Sequence, residues 1–549
     1  MFVVGTRGSD LALTQSTATA ELIRARTGED FRIEIIRTRG DVILDKPLPE
    51  IGGKGLFTAE LEQALREGRI DIAIHSLKDL PVEDPAGLTI GAVPVRADSG
   101  DVLVFDPRHE DPEGGSIPLC HGLVVGTSSP RRAIAVRSLR PDLVVRDLRG
   151  NVPTRVDKVR RGEYAGVLLA AAGLDRLGLD LGELERVALP GDRFVQAPGQ
   201  GALGVQCRRD DARILELLQA IHDPVAAVCA HAERAVLQGL GGGCSMPLGV
   251  RVQPDGNDGY ELRAALYGRS GSPALGVFHD GQGTDLDALV AEAITALEPL
   301  AAEPLRGRTV VVVRPSGGDS RLAAPLAVAG ATVETVAVTE ALPVQVTEAE
   351  LRSALGEDSA LAFTSARAVD RLVEEATYAG IDLRGRTTFA GGPATAAAAR
   401  AVGLNVFAPA GDTGGGAALA DLVAAHGLPT SANLCFACAS DRHPDFETRA
   451  AELGFVVRAL PVYRIETIEG LEWPVERCDA LVVTSPSSAD AMVRLGTPEH
   501  RAIVAIGSTT GAALERHGLP HGTATTPTPT GVFEAVAARV PADDATDAS

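Results

Sequence analysis

Short apolar runs that end in a turn and lead into a helical stretch recur along the whole of this 549-residue chain, and that alternation constrains the fold more than any single motif. Asp71-Ile-Ala-Ile-His75 and Gly166-Val-Leu-Leu-Ala170 read as short buried strands, while Thr58 to Glu67 has helical apolar spacing. The class is therefore α/β. One core does not grow to this length, so several domains of roughly 100 to 200 residues are expected. The cleanest boundary is Leu297-Glu-Pro-Leu-Ala-Ala-Glu-Pro304, which follows the helical Leu286 to Leu297 and precedes a fresh strand, Thr309-Val-Val-Val-Val-Arg314. The division places 1–300 in one half, 301–308 in a linker and 309–540 in a second half, with 541–549 an acidic, frayed tail. In the second half, strand, hydroxyl-rich turn and alanine-rich helix repeat at Leu361-Ala-Phe-Thr-Ser-Ala and Ala480-Leu-Val-Val-Thr-Ser-Pro, which predicts two similar lobes.

The net charge of −21 argues against a nucleic-acid partner but leaves small anionic substrates open. Lys46, Lys54, Lys78 and Lys158 are the only lysines, so nearly all positive charge is arginine. Seven scattered cysteines do not make a disulfide framework and fit a reducing compartment. The start, Met-Phe-Val-Val-Gly-Thr-Arg, has no export pattern, and no apolar run reaches the roughly 18 residues of a membrane span. A cytoplasmic, monomeric chain without a membrane partner is expected.

Three clusters carry chemistry in the first half. In His75-Ser-Leu-Lys-Asp-Leu-Pro81 a strand runs into a loop with Lys78 beside Asp79; from those two residues alone, a solvated surface pair is the plainer reading. Gly126-Thr-Ser-Ser-Pro-Arg-Arg132, followed by Arg149-Gly-Asn-Val-Pro-Thr-Arg155, places hydroxyls and arginines at helix starts, a receptor for carboxylate or phosphate. In Gly241-Gly-Gly-Cys-Ser-Met-Pro247 three glycines let a bulky group approach Cys244. Gly199-Gln-Gly-Ala-Leu-Gly204 satisfies the dinucleotide pattern but follows Pro198 and leads into a strand, so it is rejected. A two-lobed solute-binding protein is the competing reading of the α/β pattern, and it needs neither Asp79 nor Cys244.

These clusters, with Gly5-Thr-Arg-Gly-Ser9, Gly52-Gly-Lys-Gly-Leu-Phe57, Leu148-Arg-Gly-Asn151, Ala171-Ala-Gly-Leu-Asp-Arg-Leu177 and Gly199-Gln-Gly-Ala202, resemble porphobilinogen deaminase (hydroxymethylbilane synthase) in order and spacing. The resemblance implies two periplasmic-binding-protein-like α/β lobes, 1–98 with 196–218 and 99–195, plus a small α+β domain, 219–300, bearing the cofactor cysteine. It implies a dipyrromethane attached through a thioether to Cys244 and built by the enzyme itself, with neither metal nor nucleotide. Asp79 would stabilise the azafulvene cation left when porphobilinogen loses ammonia, and manage its proton. Lys54, Ser76, Lys78, Thr127, Ser128, Ser129, Arg131 and Arg132 would bind the cofactor with Asp79. Arg7, Ser9, Arg149, Arg155, Arg176 and Gln200 would hold the acidic arms of the substrate.

The second half is less legible. Cys435-Phe-Ala-Cys438 has no second pair and apolar flanks, which favour two small core residues in a strand over a redox or zinc motif. Thr364-Ser365, Gly391-Gly-Pro-Ala-Thr395, Thr484-Ser-Pro-Ser-Ser488, Gly507-Ser-Thr-Thr510 and Pro527-Thr528 sit where strands run out, and form either an uncharged anion rim or ordinary helix caps. With Arg314, Val462-Tyr463-Arg464 and Ala524 to Gly531 they resemble uroporphyrinogen-III synthase. That resemblance implies two lobes, 309–340 with 467–540 and 341–466, joined by two strands. It also implies cofactor-free closure of hydroxymethylbilane with loss of water and inversion of the last ring. Arg314, Thr364, Ser365, Thr395, Thr484, Ser485, Ser487, Thr509 and Thr528 would bind that substrate, and Tyr463 would assist departure of its hydroxyl. The alternative is a noncatalytic second half that retains substrate or binds a partner.

Overall fold

The computed structural model describes residues 1–38, 58–82, 85–242, 246–268, 276–317, 320–356, 359–409, 415–442 and 444–540. The chain is α/β throughout and forms two compact units: 1–310 with 320–334 and 527–549, and 311–319 with 335–526. Among the described residues no helix is long and apolar enough to cross a membrane.

Among the described residues the first unit holds three sheets. In one, the strands run in the order Phe31–Ile35, Phe2–Thr6, Ile72–Ser76, Leu203–Arg208, Leu88–Ala92. The first three are parallel, and Leu203–Arg208 lies antiparallel between its two neighbours. The helix Asp10–Thr27 follows the first strand; the Ser9 hydroxyl accepts from Ala12 N to start it, and Gly28, at φ 74°, ends it in the left-handed region. A second five-stranded sheet runs Val144–Arg146, Val124–Gly126, Gly166–Ala170, Asp101–Phe105, Glu185–Ala188, with Asp101–Phe105 antiparallel to both neighbours. Segments 93–100 and 189–202 carry the chain from the first sheet to the second and back. The third sheet is an antiparallel meander, Leu248–Pro254, Tyr260–Tyr267, Gly276–Gly283, packed by the helices Pro224–Gly239 and Leu286–Ala301.

The predicted strand at Gly166 to Ala170 forms with those bounds, the one predicted at 71–75 forms at Ile72–Ser76, and the predicted helix forms at Ala59–Arg66. The helix that begins at Leu286 runs past Leu297 into the proline-bearing stretch. The helix continues through Pro299 to Ala301, because Leu297 and Leu300 remain buried and hold the last turn against the loss of one N–H donor.

The second unit is built on a ten-stranded sheet whose central strands, Thr332–Pro343 and Val457–Thr467, are its longest and pair antiparallel from Thr339↔Thr467 to Pro343↔Tyr463. On one side of that pair, the parallel strands Ala360–Phe363, Thr387–Ala390, Asn405–Phe407 and Leu434–Ala439 bury both faces. On the other, Arg477–Val483, Glu499–Ala505 and Gly522–Thr523 are parallel, and the first two join a separate core with Val311 and Val313. Cys435 packs in the core of one face and Cys438 in that of the other, as the period of two dictates for residues three apart. Burial pushes both thiols up to about 12, so they are inert core residues rather than a redox pair.

His75, at the end of a buried strand, is held down to about 4 by burial, with the charge of Arg7 adding to the shift and the neighbouring Gln206 side chain opposing it. The unfolded chain takes up this proton near 6.5 and the folded chain only near 4, so the first unit loses stability as pH falls through that window. The expected slope is up to about 1.4 kcal/mol per pH unit. His75→Gln should flatten the pH dependence of the urea midpoint between those values, and an unchanged slope would show that this imidazole is not its source.

Candidate active site

The strand Ile72–Ser76 runs straight into a 3₁₀ turn, Leu77–Asp79. Leu77 is fully buried and Leu80 nearly so, which pins the turn on both sides of the two charges. Leu77 N donates to Ala202 O (3.0 Å) and Leu80 N to Leu77 O (3.3 Å). Asp79 is left exposed at the tip, whereas Lys78 is half-buried and its Nζ donates to Gln200 Oε1 (3.3 Å). The solvated-pair reading of these neighbours is therefore replaced: one charge faces out and the other in. Burial lowers the Lys78 ammonium, and the charge of Asp79 opposes that shift.

Asp101 organises the cations behind the turn. Its carboxylate, 1% exposed, accepts from Arg131 Nη1 (2.7 Å), from Arg132 Nε (3.0 Å) and Nη2 (2.7 Å), and from Gln200 Nε2 (2.8 Å). Burial alone would raise this carboxyl, but the two guanidinium charges outweigh it and hold the group well below the usual carboxylate range. Arg131 also donates to Val195 O, and Arg132 to Leu168 O and Gln200 Oε1. Both guanidinium groups are thus buried and turned inward, not displayed on a helix face. Gln200 is equally enclosed, bonded through its amide to Ser99 O, Gly100 O, Asp101, Lys78 and Arg132.

The hydroxyls at the next helix start are partly committed to the backbone. Ser129 caps the helix Pro130–Leu139 through Arg132 N, Thr127 Oγ1 accepts from Ser129 N (3.2 Å), and Ser128 is exposed. Asn151 caps the helix Val152–Arg160, and Arg155 Nε in its first turns donates to Gly150 O (2.8 Å). Burial and the charge of Arg132 lower the Arg155 guanidinium, while Asp147 and Asp79 oppose. Arg149 lies 3.7 Å from Asp147, and Arg176 Nη2 donates to Gly201 O (2.6 Å). Ser76 Oγ accepts from Gln15 Nε2 (3.4 Å), and Arg7 lies half-buried two residues before the Ser9 cap. Lys54 and Cys244 lie outside the described residues.

Two adjacent residues that sequence reasoning missed tie this region together. Glu233, fully buried in the helix Pro224–Gly239, accepts from Arg96 Nη1 (2.9 Å) and Nη2 (2.7 Å), Gln196 Nε2 (3.1 Å), Gly199 N (2.7 Å) and Val252 N (3.0 Å). Arg234 donates to Leu77 O (2.8 Å), Leu80 O (3.1 Å) and Pro81 O (2.6 Å). The available signal was a pair of charges set among Ala226, Ala227, Ala230 and Val236 on an apolar helix.

In the second unit, Tyr463 is buried against Leu460 and Val462, with its hydroxyl 3.1 Å from Ser365 Oγ. Ser365 caps the helix Ala366–Tyr378 through Ala368 N, and Ser485 caps Pro486–Leu495 through Ser488 N, with Ser487 Oγ at 3.0 Å. Thr484 Oγ1 donates to Val313 O (3.1 Å). Thr364 and Thr509 are exposed, whereas Thr395 is buried within the helix Pro393–Ala401 and so does not stand on a rim. Arg314, half-buried, is the penultimate residue of the strand Thr309–Pro315. Thr528, in the first unit, caps Pro529–Ala537 through Gly531 N. Capping is thus what Ser365, Ser485 and Thr528 visibly do at their helix starts.

Comparison with known families separates the two halves. Residues 2–216 match the porphobilinogen deaminase dipyromethane cofactor binding domain, and residues 227–275 the porphobilinogen deaminase C-terminal domain. Residues 283–410 and 360–534 match uroporphyrinogen-III synthase HemD. A porphobilinogen deaminase of Roseiflexus sp. (strain RS-1) is 46% identical over 277 residues, covering 50% of this chain and 88% of the relative. A probable porphobilinogen deaminase of Methanopyrus kandleri is 44% identical over 271 residues, covering 49% and 88%. A crystal structure of a mutant uroporphyrinogen III synthase from the extremely thermophilic bacterium Thermus thermophilus aligns at 22% identity over 42% of this chain and 96% of that one, with a TM-score of 0.30, too low to bear on the fold. The chain belongs to the porphobilinogen deaminase family and carries behind that enzyme a uroporphyrinogen-III synthase domain, which makes it a bifunctional enzyme of tetrapyrrole biosynthesis.

Proposed function

We propose that the first half joins four porphobilinogen units into hydroxymethylbilane, releasing ammonia, on a dipyrromethane held by Cys244. The second half then closes that product to uroporphyrinogen III with loss of water. The observation that carries the deaminase assignment is Asp79, an exposed carboxylate on a turn anchored from below, with Lys78, Arg132 and Arg155 near enough for their charges to act on one another.

The residues fit a tetracarboxylate primer. Lys78 and Arg155 are cations kept partly out of water with no ion pair to a carboxylate among the described residues, a potential that an acidic ligand would relieve. When bound, the dipyrromethane supplies the pyrrole carbon to which the next unit is joined. Ser76, Lys78, Thr127, Ser128, Ser129 and Lys54 would hold its acidic arms, with Arg131 and Arg132 offering the N–H groups not spent on Asp101. Arg7, Ser9, Arg149, Arg155 and Arg176 would hold those of the incoming porphobilinogen, and Gln200 would set Lys78 and Arg132. Asp79 would stabilise positive charge as ammonia leaves and take the proton released at the new bond.

The two five-stranded sheets, linked by 93–100 and 189–202, support a reading as two periplasmic-binding-protein-like lobes, 1–98 with 196–218 and 99–195. The meander and its helices support a cysteine domain at 219–300. In the second half, separate cores on either side of two long strands favour lobes at 309–340 with 467–540 and at 341–466. Tyr463, hydrogen-bonded to Ser365, would assist departure of the bilane hydroxyl, and orientation would supply much of the rate.

Freshly purified protein should carry a covalent mass of two pyrrole units, lost in Cys244→Ser; an unmodified and inactive Cys244 would overturn the deaminase mechanism. Asp79→Asn should keep that mass and the fold but lose about 10²- to 10⁴-fold in kcat for porphobilinogen consumption. Tyr463→Phe should slow formation of the type III product and let type I appear, and full rate with pure type III would remove Tyr463 from the mechanism.

A further inference from the structure

We propose that Arg234 is a positioning residue for Asp79, and that it fixes the catalytic turn against the helix Pro224–Gly239. This rests on Asp79 being the deaminase catalyst. The turn exposes a carboxylate while three of its carbonyl oxygens, on Leu77, Leu80 and Pro81, point back toward the helix Pro224–Gly239. A single guanidinium collects all three, at 2.6 to 3.1 Å, and Arg234 itself is 8% exposed. A planar fork with fixed donor directions defines where three acceptors lie, which a flexible point charge does not.

The helix gives this clamp its reach. Arg234 stands five residues before Gly239, about 7.5 Å along the axis, and the chain then passes directly into Gly241, at φ 64°, and on toward Cys244. Its neighbour Glu233 anchors the same helix to Gly199 and Arg96 in the segments between the two larger sheets. The helix therefore cannot shift without moving the turn, and the position of Asp79 relative to that helix is set through Arg234. Loss of the fork would leave the charges of Asp79 and Lys78 in place but free the turn that aims them.

The test uses the full chain. Arg234→Lys should retain the covalent mass on Cys244 and a KM for porphobilinogen within about threefold of wild type, while kcat falls by about 10- to 100-fold, the cost of a small misplacement of a catalytic group. In Arg234→Ala, added guanidinium should restore kcat, and it should not do so in Asp79→Asn. Adding Arg234→Lys to Asp79→Asn should cost less than about twofold more, since both act through one carboxylate. Wild-type kcat in Arg234→Lys, or penalties that multiply in the double variant, would overturn the proposal. If Arg234→Ala does not fold, Arg234→Lys and the double variant decide the matter alone. A wild-type chain that consumes no porphobilinogen would instead count against the function on which the proposal rests.

Discussion

The carboxylate of Glu233 is the point on which the deaminase half turns. Fully buried, it accepts from a guanidinium, a side-chain amide and two backbone N–H groups, supplied by Arg96, Gln196, Gly199 and Val252. A buried ion costs several kcal/mol to desolvate, and here that cost is met by charge-assisted hydrogen bonds that satisfy both oxygens. The segments it gathers pass between the two five-stranded sheets, and the helix that carries it leads to Cys244. A sheet-to-sheet crossover and a meander thus share one anchor.

A second constraint is electrostatic. An acidic protein that handles a lengthening polyanion must keep its positive charge local, and it must keep that charge from collapsing onto its own acids. Asp101 neutralises part of the Arg131 and Arg132 pair and fixes both in place, while Gln200, an uncharged group, holds Lys78 and Arg132 without cancelling either. In the second half, hydroxyls stand at helix starts, and Ser365, Ser485 and Thr528 each cap the helix that begins there.

What could be read from the sequence was local. The strand at Gly166–Ala170, the turn after Ser76 and the placing of Cys435 and Cys438 in a strand all follow from period and flanking residues within one element. The family likeness supplied Asp79 and Cys244, which no periodicity could rank above other carboxylates and thiols. Hidden were the partners across distance: Arg96 finds Glu233 137 positions on, and Arg234 finds Leu77 157 positions back. A charged pair on an alanine-rich helix looks the same in sequence whether it faces water or holds the carbonyl oxygens of a distant turn. The inward turn of Arg131 and Arg132 was hidden for the same reason, because Asp101 is distant in sequence and begins a strand that reads as plain apolar filling.

One chain should take porphobilinogen to a closed macrocycle of inverted last ring. Incubating the intact purified protein with porphobilinogen alone, and identifying the uroporphyrinogen isomer after oxidation, tests both halves together. Type III should be the dominant product. Type I, formed by unassisted closure of free bilane, would contradict it and leave the second half without its assigned reaction.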